Sequence, residues 1–133
     1  AIRRKAGAMM NLGNVAERTV PKMCLVSVPR QGGAINTRCF IPHRCHTSIG
    51  VLAAVSVATA VAMPGTVCEG VAVVPEGNHL VLEIEHPTGQ MGVEILLART
   101  ADKVVVEQAA LIRTARWLFD GHVCVPRRIW PGH

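Results

Sequence analysis

From Ile49 to Met63 the chain runs fifteen residues without a charge, and Pro64-Gly65 ends the run. A membrane span needs roughly 20 consecutive apolar residues, and this run is shorter and rich in Ala and Ser, so it reads as a core helix. The pattern predicts a helix from about Thr47 to Met63, with Thr47 or Ser48 as N-cap and Pro64-Gly65 as a hard stop. A helix that is apolar on all faces is expected to be buried on every side. Gly50, Ala53, Ala54, Ser56, Ala58, Ala60 and Ala62 keep it thin, so a sheet curled around it is the packing that fits.

After Gly65 the hydrophobic period becomes two. Leu80, Leu82 and Ile84 alternate with Val81, Glu83 and Glu85, and His86-Pro87-Thr88-Gly89 reads as a turn. Val93, Ile95 and Leu97 then alternate with Glu94 and Leu96, which completes a hairpin. Val104 to Ile112 and His122 to Val125 read as further strands, and Met23 to Val28, ended by Pro29, as a buried one. Gln31 to Thr37, with Gly32-Gly33, reads as a loop. Residues 2–12 have helical spacing, with Ile2, Ala6, Met9 and Met10 on one side and Gly13 as the stop. One helix among antiparallel strands gives the α+β class, and the architecture expected is a curled, mostly antiparallel sheet wrapped around one buried apolar helix.

The length suits one domain with a modest core. The first residue is not Met and the chain opens directly into a helical pattern, so a piece of a longer protein is expected. Half the residues are apolar, which excludes a disordered tail. The net charge of +5 admits nucleic acid, a membrane surface or an anionic small molecule as partner. The basic residues form no stripe and there are only two Phe, two Trp and no Tyr to stack on bases, so nucleic acid is excluded first. The start Ala-Ile-Arg-Arg-Lys has no apolar stretch of a signal peptide, and no segment is expected to cross a membrane. Five cysteines, Cys24, Cys39, Cys45, Cys68 and Cys124, are an odd number without framework spacing, as in a reducing, cytoplasmic setting.

The polar cluster His43-Arg44-Cys45-His46-Thr47-Ser48 stands against the start of the apolar helix. Free N–H groups and the positive end of the helix dipole suit a bound anion there. Thr47 and Ser48 can hold a substrate carboxylate with their hydroxyls and the N–H groups that follow, or can cap the helix's own donors. Gly50 serves close approach, either of a ligand or of a strand packed on the helix. Arg44 can clamp a second carboxylate or lie solvated. His43 is a candidate substrate contact or proton-relay group; His46 reads as structural. Cys45, a thiol beside a helix start and an arginine, has the setting of a nucleophile. Cys39, His43, Cys45 and His46 also raise a zinc reading, though no second ligand pair lies at the usual distance.

These residues, in this order, resemble the C-terminal part of the 2-methylaconitate isomerase and 4-oxalomesaconate tautomerase family, which shares the diaminopimelate epimerase-like fold. The resemblance rests on Pro21-Lys22 before a strand ending in Val26-Ser27, and on His43, Thr47 and Gly50 followed by the Ala/Val helix and Pro64-Gly65-Thr66-Val67. It continues through His86-Pro87-Thr88-Gly89 to Arg113-Thr114-Ala115-Arg116, Leu118 and Gly121 through Pro126. It implies a two-domain enzyme with its active site between two helix N-termini. Such an enzyme shifts a double bond in a di- or tricarboxylate by proton transfer, without metal or organic cofactor.

Residues 1–133 would then be the single C-terminal domain, with residues from about 109 to 133 packing toward the N-terminal domain. The resemblance assigns the acid and base, a lysine and a cysteine, to that missing half. Cys45 matches catalytic cysteines of proline-racemase and epimerase relatives, whereas the family resembled usually has a small inert residue there. Arg113, with Thr114 and Arg116, would line the cleft or tie the domains together, and Trp117 and Phe119 would anchor that segment in a core. A homodimer filling in for the missing half is a further expectation. The rival readings are a non-catalytic remnant that binds an anion or a partner, and a zinc-dependent structural module.

Overall fold

The computed structural model describes residues 1–132. Its elements are α1 (Ile2–Met9), β1 (Met23–Ser27), β2 (Ile35–Phe40), α2 (Val51–Ala62), β3 (His79–His86), β4 (Gly89–Arg99) and β5 (Val104–Leu111). The strands form one sheet in the order β1-β2-β3-β4-β5. Every neighbouring pair is antiparallel except β2 and β3, which run parallel because α2 carries the chain across between them.

Period two does the work expected of it in β3 and β4. Leu80, Leu82, Ile84, Val93 and Ile95 are fully buried on the face that meets α2, while Val81 on the other face is half exposed. Helix α2 lies on β3, β4 and β5 and buries Ala54, Val57, Ala58, Val61 and Ala62 against them. The alanines let the helix axis approach the sheet closely.

The other side of α2 is open. Leu52 is 82% exposed, Val51 and Ser56 are exposed, and the Ser56 hydroxyl folds back onto the Leu52 carbonyl at 2.8 Å. The expectation that this helix is buried on every side is therefore met on one face only. Strands β3, β4 and β5 cover the inner face, and no strand of the described residues reaches around to the outer one.

Three further expectations are corrected. The segment read as a loop runs into the first half of β2, where Asn36 and Thr37 carry no hydrophobic signal. Flanked by β1 and β3, the strand buries Ile35, Asn36 and Thr37, and Thr37 bonds the Glu85 carbonyl at 2.7 Å. Helix α1 turns Ile2, Met9 and Met10 outward and buries Arg3 and Gly7 instead. The Arg3 guanidinium donates to the carbonyls of Val15, Ala16, Arg18 and Val20 at 2.8–3.0 Å, and Gly7 lies where a Cβ would strike Val15 at 2.5 Å. Beyond β5 there is no strand at residues 122–125, and Trp117 and Phe119 are exposed and enter no core among the described residues. No strand lies outside β5 to pair with that segment, so its apolar pattern finds no partner among the described residues.

Candidate functional site

The register brings several chain segments to one end of the sheet. The His86–Gly89 turn, the end of β2 and the start of α2 meet there, and the Ile112 N–H bonds the Gly92 carbonyl at 3.0 Å, which carries Arg113 to the same end.

Helix α2 starts without a side-chain cap. Its N-cap is Gly50, not Thr47 or Ser48, so the capping reading of those two residues is set aside. The N–H groups of its first turn are left to solvent or a ligand. Gly50 has an extended backbone (φ −73°), and a Cβ there would meet nothing within 4 Å. No strand packs against it, which removes one of the two reasons for a glycine and leaves open room at the helix mouth.

Ser48 is fixed from two sides. Its N–H donates to His46 Nδ1 at 2.9 Å, and its hydroxyl lies 3.3 Å from His86 Nε2. On the far side of the ring, His86 Nδ1 takes the Thr88 N–H at 3.4 Å, and the Thr88 hydroxyl donates to the Thr47 carbonyl at 2.8 Å. The hairpin turn is thus bonded to Thr47 and Ser48, a short way ahead of the N-cap Gly50. Burial lowers the His86 pKa from its ordinary value; the Gln90 backbone works against the shift and the charge of His46 adds to it. The ring is therefore kept neutral at pH 7. The Thr47 hydroxyl has no hydrogen-bond partner among the described residues and stays exposed at the mouth.

The remaining candidates lie further out. His43 and Arg44 sit at the tip of a tight hairpin closed by the Ile41 N–H on the Arg44 carbonyl (2.9 Å) and the His46 N–H on the Cys39 carbonyl (2.7 Å). Both are exposed and neither bonds Thr47, Ser48 or His86. Cys45 is exposed beside them, with its Sγ 3.5 Å from the His46 carbonyl. The zinc reading finds its donors turned elsewhere: Cys39 Sγ lies against Cys24, and His46 Nδ1 is occupied by Ser48. Among the described residues no three metal-ligating side chains converge.

Sequence reasoning missed His86 and Thr88 as members of this site and read His46 as merely structural. A signal was present, because His86 continues the buried face of Leu80, Leu82 and Ile84, and a polar residue closing an apolar stripe marks a bonded position. Behind it, Glu85 is 1% exposed and receives the N–H groups of Arg30, Gln31 and Gly33 at 2.6–2.9 Å. Burial works to raise its pKa, but those donors and the Arg30 charge prevail and hold the carboxyl below its usual value.

An open five-stranded sheet with one helix seated on its face makes an α+β half-barrel. The crystal structure of methylitaconate-delta-isomerase has this fold: it superposes over 84% of this chain and 34% of its own, with a TM-score of 0.58 and 17% identity. The chain belongs to the PrpF protein family, whose sequence profile matches residues 1–126. It is 54% identical over 132 residues to 4-oxalomesaconate tautomerase of Pseudomonas putida, covering 99% of this chain and 36% of that one. It is 58% identical over 125 residues to (4E)-oxalomesaconate Delta-isomerase of a Novosphingobium species, covering 94% and 34%. A putative isomerase, YbhH, of Escherichia coli is 36% identical over 126 residues, covering 95% and 35%. The chain thus spans about a third of the length of the curated relatives it matches. No helix among the described residues is long and apolar enough to cross a membrane.

Proposed function

We propose that the protein to which this chain belongs is a cofactor-independent isomerase that moves a double bond in a small di- or tricarboxylate by proton transfer, with 4-oxalomesaconate as the first substrate to try. This chain is its C-terminal domain and supplies carboxylate binding, while an N-terminal domain supplies the acid and base. The observation that carries the reading is the uncapped start of α2, with Ser48 pinned beside it by His46 and His86. The names and identities of the relatives support the substrate class.

In this scheme the substrate carboxylate lies on the first-turn N–H groups, with the Ser48 and Thr47 hydroxyls as further donors. Removal of a proton next to that carboxylate builds negative charge on its oxygens. Donors already aimed at the oxygens stabilise the enolate without reorganising, and reprotonation at another carbon completes the shift. Arg44 and Arg113, both exposed, are the candidates for a second carboxylate; His43 would contact substrate only if its hairpin closed over the mouth. Cys45 is given no catalytic part.

The test is steady-state turnover of 4-oxalomesaconate by the intact protein and its Ser48→Ala variant. Loss of one preorganised donor should lower kcat/KM by about 100- to 1,000-fold with the fold retained. A folded Ser48→Ala protein with unchanged kcat/KM would remove this chain's part in binding. An intact wild-type protein that turns over no polycarboxylate would leave the non-catalytic remnant.

A further inference from the structure

We propose that Cys24 and Cys39 form a dithiol modification site, converted to a cross-strand disulfide by a small-molecule disulfide. The two residues are direct register partners in the antiparallel pair β1–β2, and their sulfurs are 2.9 Å apart. Directly opposed residues on antiparallel strands have Cα atoms about 4.5 or 5.5 Å apart, according to the type of pair, and both spacings lie inside the disulfide range of about 4.4–6.8 Å. Bond formation therefore needs small side-chain rotations and no movement of the strands.

The pair is open to a reagent from one side. Cys39 is buried in the core and Cys24 is partly exposed on the edge strand, so a reagent has one point of entry. The hydrogen bond between the sulfurs, with burial adding to it, pushes the Cys24 thiol up. The same bond holds Cys39 below the usual thiol value, although burial opposes this. Cys39 is thus the more readily ionised of the two sulfurs.

In the first step a thiolate of the pair attacks the reagent's S–S bond, forming a mixed disulfide and expelling one small thiolate. The second cysteine then attacks the protein-side sulfur of that mixed disulfide and expels the other small thiolate. The two cysteine protons end on the two released thiols, so two cysteines are oxidised and one reagent disulfide is reduced. The product ties edge strand β1 to β2 covalently. It also clamps the residue whose carbonyl holds the His46 N–H, and with it the hairpin that precedes Ser48.

The experiment exposes the intact native protein to oxidised glutathione, blocks remaining thiols, and maps tryptic peptides without reduction. Cleavage after Lys22, Arg30, Arg38 and Arg44 separates the two cysteines into residues 23–30 and 39–44. The expected result is that most of both peptides appears as one linked species lacking two hydrogens, while exposed Cys45 and Cys124 each retain a single glutathione. Recovery of residues 23–30 and 39–44 as separate blocked or singly glutathionylated peptides would overturn the proposal. So would a link from Cys24 to Cys68, the third thiol near the pair, or a link formed only after denaturation.

Discussion

Glu85 shows how much one buried carboxylate can organise. Three backbone N–H groups from the loop after β1 converge on it, so the loop is shaped to the charge. Gly33 belongs to the same arrangement: a Cβ there would come within 2.7 Å of the Glu83 carbonyl and of the Glu85 side chain. Glu85→Gln keeps the size but loses the charge and one acceptor, and should destabilise the fold by about 2–3 kcal/mol in urea denaturation. Acid should reproduce this. Both Glu85 and His86 have depressed pKa values in the fold, so each binds its proton more readily when unfolded. Their contributions are complete above the ordinary values and are lost as pH falls. Stability measured against pH should therefore decline below the ordinary imidazole value of 6.5, and again below the ordinary carboxyl value of 4.5. His86→Gln should abolish the first decline and leave the second.

Gly50 separates binding from folding at the same scale. Alanine at an N-cap is worse than glycine by about 0.5–1 kcal/mol, while removing glycine's freedom in the unfolded chain returns about 0.4–1 kcal/mol. The two nearly cancel, so Gly50→Ala should leave the urea midpoint almost unchanged. A methyl group at the helix mouth should nevertheless lower kcat/KM of the intact protein by about tenfold or more, through KM. Full activity in this variant would mean that no ligand approaches the start of α2.

Among the elements, β3 states its own orientation. Leu82 is fully buried and its neighbour Val81 is 48% exposed, so Leu82→Ala should cost about 2–5 kcal/mol and Val81→Ala under about 1 kcal/mol. Equal costs would mean that the strand's two faces are both covered. The alternation that makes this visible in the structure was equally visible in the residues, as was the hairpin turn at Pro87. Strand β2 was not, because Ile35 to Phe40 owe their conformation to neighbours on both sides and carry three polar residues in succession, without alternation. Helix α1 misled for a related reason. Its apolar positions suggested a buried face, yet the anchor is Arg3, whose donors fit four carbonyls that only the folded loop assembles. The candidate site was half legible. Thr47, Ser48 and Gly50 announced a helix start, but the bond from Ser48 to His86 spans 38 residues and depends on the parallel register of β2 and β3.

For the molecule as a whole, the governing fact is apolar surface without cover. Leu52 on α2 and Trp117, Leu118 and Phe119 beyond β5 are all at least 67% exposed. Exposed apolar area on this scale marks an interaction surface, which fits a chain that spans about a third of its relatives. We propose that residues after Leu111 pack on the N-terminal domain. A shortened chain ending at Leu111 tests this by physical bookkeeping. Denaturant sensitivity tracks the area buried on folding, and residues 112–132 are exposed throughout, so they add little to it. In the isolated chain their removal should leave both the urea midpoint and the slope of the transition nearly unchanged. In the intact protein the same removal should lower the midpoint, because it strips cover from the N-terminal domain. A fall in the isolated chain would mean that this segment packs on its own sheet, and an unchanged intact protein would mean that its apolar residues serve neither domain.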